Sequence, residues 1–173
     1  MDIFWEELTS GLPDTRQLVR VIIRLMAATL LGAVVGIERE RAGKPAGLRT
    51  HILVSLAAAT FAVLTLELAA GADGNGVQSD PIRIIEAVTA GVAFLAAGTI
   101  IFARGQVHGL TTGASLWLAG AIGVACGIGY YFIALLATVL ATFILVVLRW
   151  VEAALPQKRP PPVPEEDPAA RLD

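Results

Sequence analysis

Five stretches of this sequence, residues 18–37, 51–70, 82–103, 111–127 and 128–150, are apolar almost from end to end. Each has roughly the 20 residues that an α-helix needs to cross a bilayer. Lipid offers no water to unpaired backbone groups, so a spanning segment must be a helix or a strand of a closed barrel, and runs this long are helical. A soluble bundle would show a polar face along each helix. The stretches "HILVSLAAATFAVLTL" and "YYFIALLATVLATFILVVL" show none. Nor could a soluble domain of 173 residues, 55% of them hydrophobic, hide so much apolar surface. The predicted fold class is therefore an all-α integral membrane protein, a bundle of about five transmembrane helices within residues 18–152. The last two segments are parted only by "GIGYY", read as a tight interfacial hairpin.

Charge is distributed by segment. Lys and Arg in short loops mark the cytosolic side. The first loop carries Arg39, Arg41, Lys44 and Arg49, the second, "GADGNGVQSDP", has neither Lys nor Arg, and the exit of the last helix has Arg149, Lys158 and Arg159. Arg104 marks the third loop. This alternation predicts an N-out, C-in topology. Residues 1–17 would be an outer N-terminal segment and the proline-rich residues 153–173 a disordered cytosolic tail. Arg16, Arg20 and Arg24 run against the rule, because they fall at the outer end of the first helix.

Several function classes are excluded. The net charge of −2 gives nucleic acid nothing to bind. His51 and His108 are the only histidines, Cys126 is the only cysteine, and no HExxH motif, nucleophile elbow or phosphate-binding loop appears. The expectation is no enzyme, no cofactor and no metal site. Small residues have a membrane reason, since helices in lipid associate by close backbone approach. Gly32 with Gly36, and Gly123 with Gly127, form GxxxG pairs, and Gly91 and Gly98 join them as expected helix-packing positions. Packing within one chain is favoured over self-association, although a homodimer could use both. Arg24, Glu67, Arg83 and Glu86 form an expected intramembrane charge cluster, with Arg24 paired to Glu86 or, in the alternative, to Glu67. Asp80 is expected to cap the third helix, with Pro81 at its first position. Thr111 or Thr112 is expected to cap the fourth.

Two long blocks carry a resemblance. "RLMAATLLGAVVGIERERAGKPAGLRTHILVSLAAA" and "DPIRIIEAVTAGVAFLAAGTI", the latter followed by "VHGLTTGASLWLAGAIGVACGIG", resemble the signature of the MgtC/SapB family of bacterial inner-membrane proteins. The matching positions are Gly36, Glu38, Arg39, Ala46, Gly47, Leu48, Arg49 and Thr50, then Arg83, Phe94, Leu95, Gly98, Gly109, Leu110, Thr112 and Trp117. Ala93 and Ala96 stand where relatives partly have glycine, Thr111 fills a position that is sometimes asparagine, and Glu86 lies outside the pattern. The resemblance implies a multi-pass protein of the bacterial inner membrane. It further implies a short form without the folded C-terminal cytosolic domain of many members. Members are associated with adaptation to low magnesium and, in some pathogens, with virulence. The implied function is a non-enzymatic regulator that contacts another inner-membrane protein, such as ATP synthase. The alternative is a small transporter or channel for Mg2+ or another solute. Glu38, Arg39, Gly47, Leu48, Arg49, Thr50, Gly109, Leu110, Thr111, Thr112 and Trp117 then become an expected interaction surface.

Overall fold

The computed structural model describes residues 14–71, 81–103 and 106–154. Five helices and one short hairpin follow in order: α1 (Thr15–Arg41), α2 (Leu48–Gly71), α3 (Pro81–Gly98), β1 (Ile101–Ala103), β2 (Gln106–His108), α4 (Leu110–Ile128) and α5 (Tyr131–Ala154). Four of them, α1, α2, α4 and α5, are long and apolar enough to cross a membrane, and α3 is a shorter apolar helix. The protein is thus an all-α membrane bundle.

Local chemistry sets the boundaries. The Asp14 carboxylate accepts from Thr15 N at 2.7 Å and starts α1. At its far end Arg39 and Arg41 occupy the last turn, where cations meet the negative pole of the helix. Gly43 then takes a φ of 64°, a left-handed turn that favours glycine, and the chain doubles back. The third segment departs from the expected single helix over 82–103. It stops at Gly98, where Thr99 N and Thr99 Oγ1 both bond to Ala96 O. The β-branched and aromatic run from Thr99 to Phe102 suits an extended strand better than a helix. β1 pairs antiparallel with β2, Phe102 facing Val107. The caps expected from Asp80 and the charge of Arg104 lie outside the described residues, as do the tail and most of the N-terminal segment.

At the centre lies α4, which packs on all four other helices. Its buried face is rich in small residues, Gly113, Ser115, Ala119, Gly120, Gly123, Cys126 and Gly127, set among Leu116, Ile122 and Val124. A core cluster of Ala28, Val35, Ala59, Ile122, Cys126 and Ala134 joins α1, α2, α4 and α5. Most of the large apolar side chains point the other way. Leu30, Phe61, Leu140 and Phe143 are exposed, as lipid-facing residues should be. Four of the six expected packing glycines are in tight contact. A Cβ on Gly32 would come within 2.8 Å of the Ser55 Cβ, and one on Gly36 within 2.8 Å of the Leu48 Cα. A Cβ on Gly123 would strike Ser55 O, and one on Gly127 would reach Ala59 O at 2.6 Å. Both GxxxG pairs are therefore used inside the chain. Gly91 and Gly98 make no such close approach among the described residues, where a Cβ on either would meet open space. Gly113 and Gly120 make the close approach to α3 instead, against Ala96 and Val92.

The expected pairing of Arg24 with Glu86 does not form. Among the described residues no ion pair joins them, and Glu86 is exposed on α3. Glu67 accepts a hydrogen bond from the Gln17 amide. Arg24 reaches the turn between α4 and α5, where its Nη2 lies 3.5 Å from the position a Gly129 Cβ would take.

Candidate functional site

Both signature blocks meet at one end of the bundle. The α1–α2 connection, the end of α3, the hairpin, the start of α4 and the end of α5 all lie there. Glycine shapes the approach twice. Gly109 precedes α4 with a φ of 87°, and its missing Cβ leaves room for Thr99 O. Gly47 clears space for the Glu40 carboxylate, which accepts from Leu48 N at 3.0 Å and so caps α2.

Two charges are buried beside one another at this end: Glu38 is 7% exposed and Arg39 is 3% exposed. Burying a charge is costly unless it is paired or hydrogen-bonded. Arg39 Nη2 donates to Thr111 Oγ1 and to Thr112 Oγ1, each at 3.3 Å, tying α1 to the first turn of α4. Glu38 Oε1 lies 4.0 Å from Arg149 Nη1 on α5. Its second oxygen, Oε2, is buried with no hydrogen-bond partner among the described residues. Thr111 and Thr112 therefore do not cap α4 as expected. They lie within its first turn and accept from Arg39, while the cap position belongs to Gly109, which makes no side-chain cap bond.

A second polar strand runs deeper. His51 is wholly buried, with Nδ1 2.8 Å from Gly47 O and Nε2 3.1 Å from Ser115 Oγ. Gly47 O can only accept, so Nδ1 carries a proton. Ser115 Oγ donates to Thr112 O at 2.9 Å, and one helical turn from His51, Ser55 Oγ donates to Ala28 O at 2.8 Å. Arg39, Thr112, Ser115, His51 and Gly47 thus form one connected polar network across α1, α2 and α4. Such a network fixes the relative positions of the three helices. His51, Ser55 and Ser115 were not singled out from the sequence. Their signal was available: His51, Ser55, Ala58, Ala59 and Ala62 recur at helical spacing, one polar and small stripe on an otherwise apolar helix.

The remaining signature positions point outward. Arg49 and Thr50 are exposed at the start of α2, and Leu110 and Trp117 are exposed on α4. Thr50 Oγ1 returns to Gly47 O at 2.9 Å. Arg49 has no hydrogen-bond or ion-pair partner among the described residues. Arg83 lies in the first turn of α3, far along the chain from this end.

Residues 25–154 match the family model described as the MgtC family. The Escherichia coli protein YhiD, named a candidate magnesium transporter, is 36% identical over 138 residues, covering 79% of this chain and 64% of YhiD. Protein SrpB of Synechococcus elongatus is 37% identical over 123 residues, 66% of this chain and 67% of SrpB. Protein MgtC of Salmonella typhimurium is 38% identical over 128 residues, 74% of this chain and 52% of MgtC. The chain thus spans about half to two thirds of the length of these relatives. No solved structure matches it. By its family match across nearly the whole bundle, its ordered signature blocks and its long apolar helices, this chain is a multi-pass membrane protein of the MgtC family.

Proposed function

We propose that this protein is a non-enzymatic regulator of the bacterial inner membrane, linked to Mg2+ homeostasis and acting through contacts with another membrane protein, as the ATP synthase contacts of its family suggest. The signature end faces the cytosol in this reading. One observation carries it: the signature divides into an inward half and an outward half. Glu38, Arg39, Gly47, Gly109 and Thr112 are engaged within the bundle, whereas Arg49, Leu110 and Trp117 are presented on its surface. A planar guanidinium left exposed, as that of Arg49 is, is suited to a bidentate contact with a partner carboxylate.

The name of YhiD favours transport as the second reading. Mg2+ needs several oxygen ligands along one path. The carboxylates here are dispersed instead. Glu38 is buried at the signature end, Glu67 is held by Gln17 towards the other, and Glu86 is exposed on α3.

The test is a growth assay under magnesium limitation together with flux measurements. Arg49→Lys is expected to insert and fold normally yet lose growth support, because Lys keeps the charge but not the planar fork. Growth at the unmodified level would reduce Arg49 to a topology signal. Liposomes holding the purified protein and a magnesium-sensitive dye are expected to show no flux, and robust flux would establish the transporter reading.

A further inference from the structure

The Glu38–Arg149 contact separates two clefts between α1 and α5. The first, of ≈160 Å³, is bounded by Lys44, Arg39, Thr111 and the apolar Leu145 and Leu148. The second, of ≈350 Å³, has apolar walls of Val34, Ile37 and Val146, with Arg41 at its edge. Glu38 and Arg149 line both. Two buried oxygens face this region with no hydrogen-bond partner among the described residues: Glu38 Oε2, on a residue more than nine-tenths buried, and Thr142 Oγ1 in the wall of the larger cleft.

The ligand chemistry follows from that inventory. Lys44, Arg41 and Arg149 ring the clefts with positive charge, and the start of α4 adds the positive pole of a helix at Thr111, so an anionic phosphate is favoured there. A bare phosphate would leave Glu38 Oε2 unmatched and would repel it. An oxygen of this kind calls for a donor, such as a hydroxyl, a few ångströms from the phosphate. The apolar walls call for hydrocarbon. Phosphate, hydroxyl and hydrocarbon occur together in one class of molecule, a phospholipid with a hydroxyl-bearing headgroup. The position fits it, because Val34 and Ile37 belong to the exposed apolar surface of α1, while the charged residues stand at the end of the bundle.

We propose that the paired clefts between α1 and α5 bind an anionic phospholipid with a hydroxylated headgroup. Lys44, Arg41 and Arg149 hold the phosphate, Glu38 Oε2 accepts from the headgroup hydroxyl, and an acyl chain lies along Val34, Ile37 and Val146. Arg149 is 47% exposed, so it can shift from Glu38 to the phosphate without opening the core. The inference stands apart from the regulatory reading, since it concerns binding by the purified protein alone.

Native mass spectrometry of the delipidated full chain in detergent tests it, with dioleoylphosphatidylglycerol as the probe. Phosphatidylcholine, which has no donor, is expected to bind about tenfold more weakly, the scale of one lost charge-assisted hydrogen bond, and glycerol phosphate, which has no tails, is expected to bind more weakly than the lipid because it buries no hydrocarbon. Arg149→Gln should weaken phosphatidylglycerol binding by a similar factor. Lys44→Gln, at an exposed position that leaves folding intact, should weaken it too. Equal binding of the two lipids overturns the proposal, as does binding by both variants at the wild-type level. Glycerol phosphate binding as tightly as the lipid would make this a soluble-phosphate site. Thermal stabilisation by magnesium chloride alone, equal to that by lipid, would make Glu38 a cation ligand and overturn the proposal as well.

Discussion

Along the seam where α1, α2 and α4 meet, Gly32, Gly36, Gly123 and Gly127 press against neighbouring chain, and the charged and polar groups that enter the seam are bonded across it. Along α3, a Cβ on Gly91 or Gly98 would meet nothing among the described residues, Glu86 is exposed, and Phe94 is 81% exposed. Both regions carry apolar runs interleaved with small residues in the sequence. What differs is whether a small residue has another backbone to approach. In lipid there is no hydrophobic force to draw helices together, so only that approach and buried hydrogen bonds hold them. The seam therefore carries the stability, and α3 is attached to it chiefly through Val92 and Ala96 on Gly113 and Gly120 of α4.

Matched substitutions would break this contrast if it is wrong. The largest effect is expected from Gly123→Leu against Gly91→Leu. The first drives a side chain into Ser55 O and should prevent assembly, exceeding the roughly 1–3 kcal/mol of ordinary overpacking. The second should leave the thermal unfolding in detergent unchanged. Comparable losses would show that α3 is packed as tightly as the seam.

Charge gives the next contrast. Arg39→Leu removes the two bonds to Thr111 and Thr112 and should cost about 1.5–3 kcal/mol, the range for hydrogen bonds to charged groups. Glu86→Leu should leave the melting temperature where it was. Ser115→Ala comes third. It strands a buried ring nitrogen of His51, at a cost of about 1–3 kcal/mol. A variant as stable as wild type would mean that the imidazole finds another partner. The smallest effect sharpens the account of Arg24. With no ion pair to Glu86, Arg24→Leu and Glu86→Leu should add within about 0.5 kcal/mol in the double variant. A double variant markedly more stable than that sum predicts would restore the pair.

Much of this was legible in the sequence. Apolar run length yields the helices, because the bilayer fixes how long a spanning helix must be. Length alone could not place the break after Gly98, where the chain stays apolar while its preference turns from helix to strand. The signature blocks meet at one end of the bundle, and the two threonines lie at that end. Their role was misjudged, because a threonine at a helix start reads as a cap until the buried Arg39 is seen to take it. Pairing by depth also failed for Arg24. Depth along two helices says nothing of which faces meet, and that is set by the stripe of small residues on α4. The same stripe on α2 would have drawn attention to His51.

The 18 residues of α3 rise about 27 Å, against about 36 Å for the 24 residues of α2. The protein therefore presents the bilayer with two hydrophobic thicknesses on different sides. Where α3 meets lipid, the acyl chains must compress or the helix must stand upright. Where α2 and α5 meet it, a tilt absorbs the excess, at a fraction of a kcal/mol for each ångström of mismatch. A membrane locally thinned on one flank is itself an attraction to other proteins of short span. The edge least secured by internal packing is then the edge at which the lipid favours a neighbour.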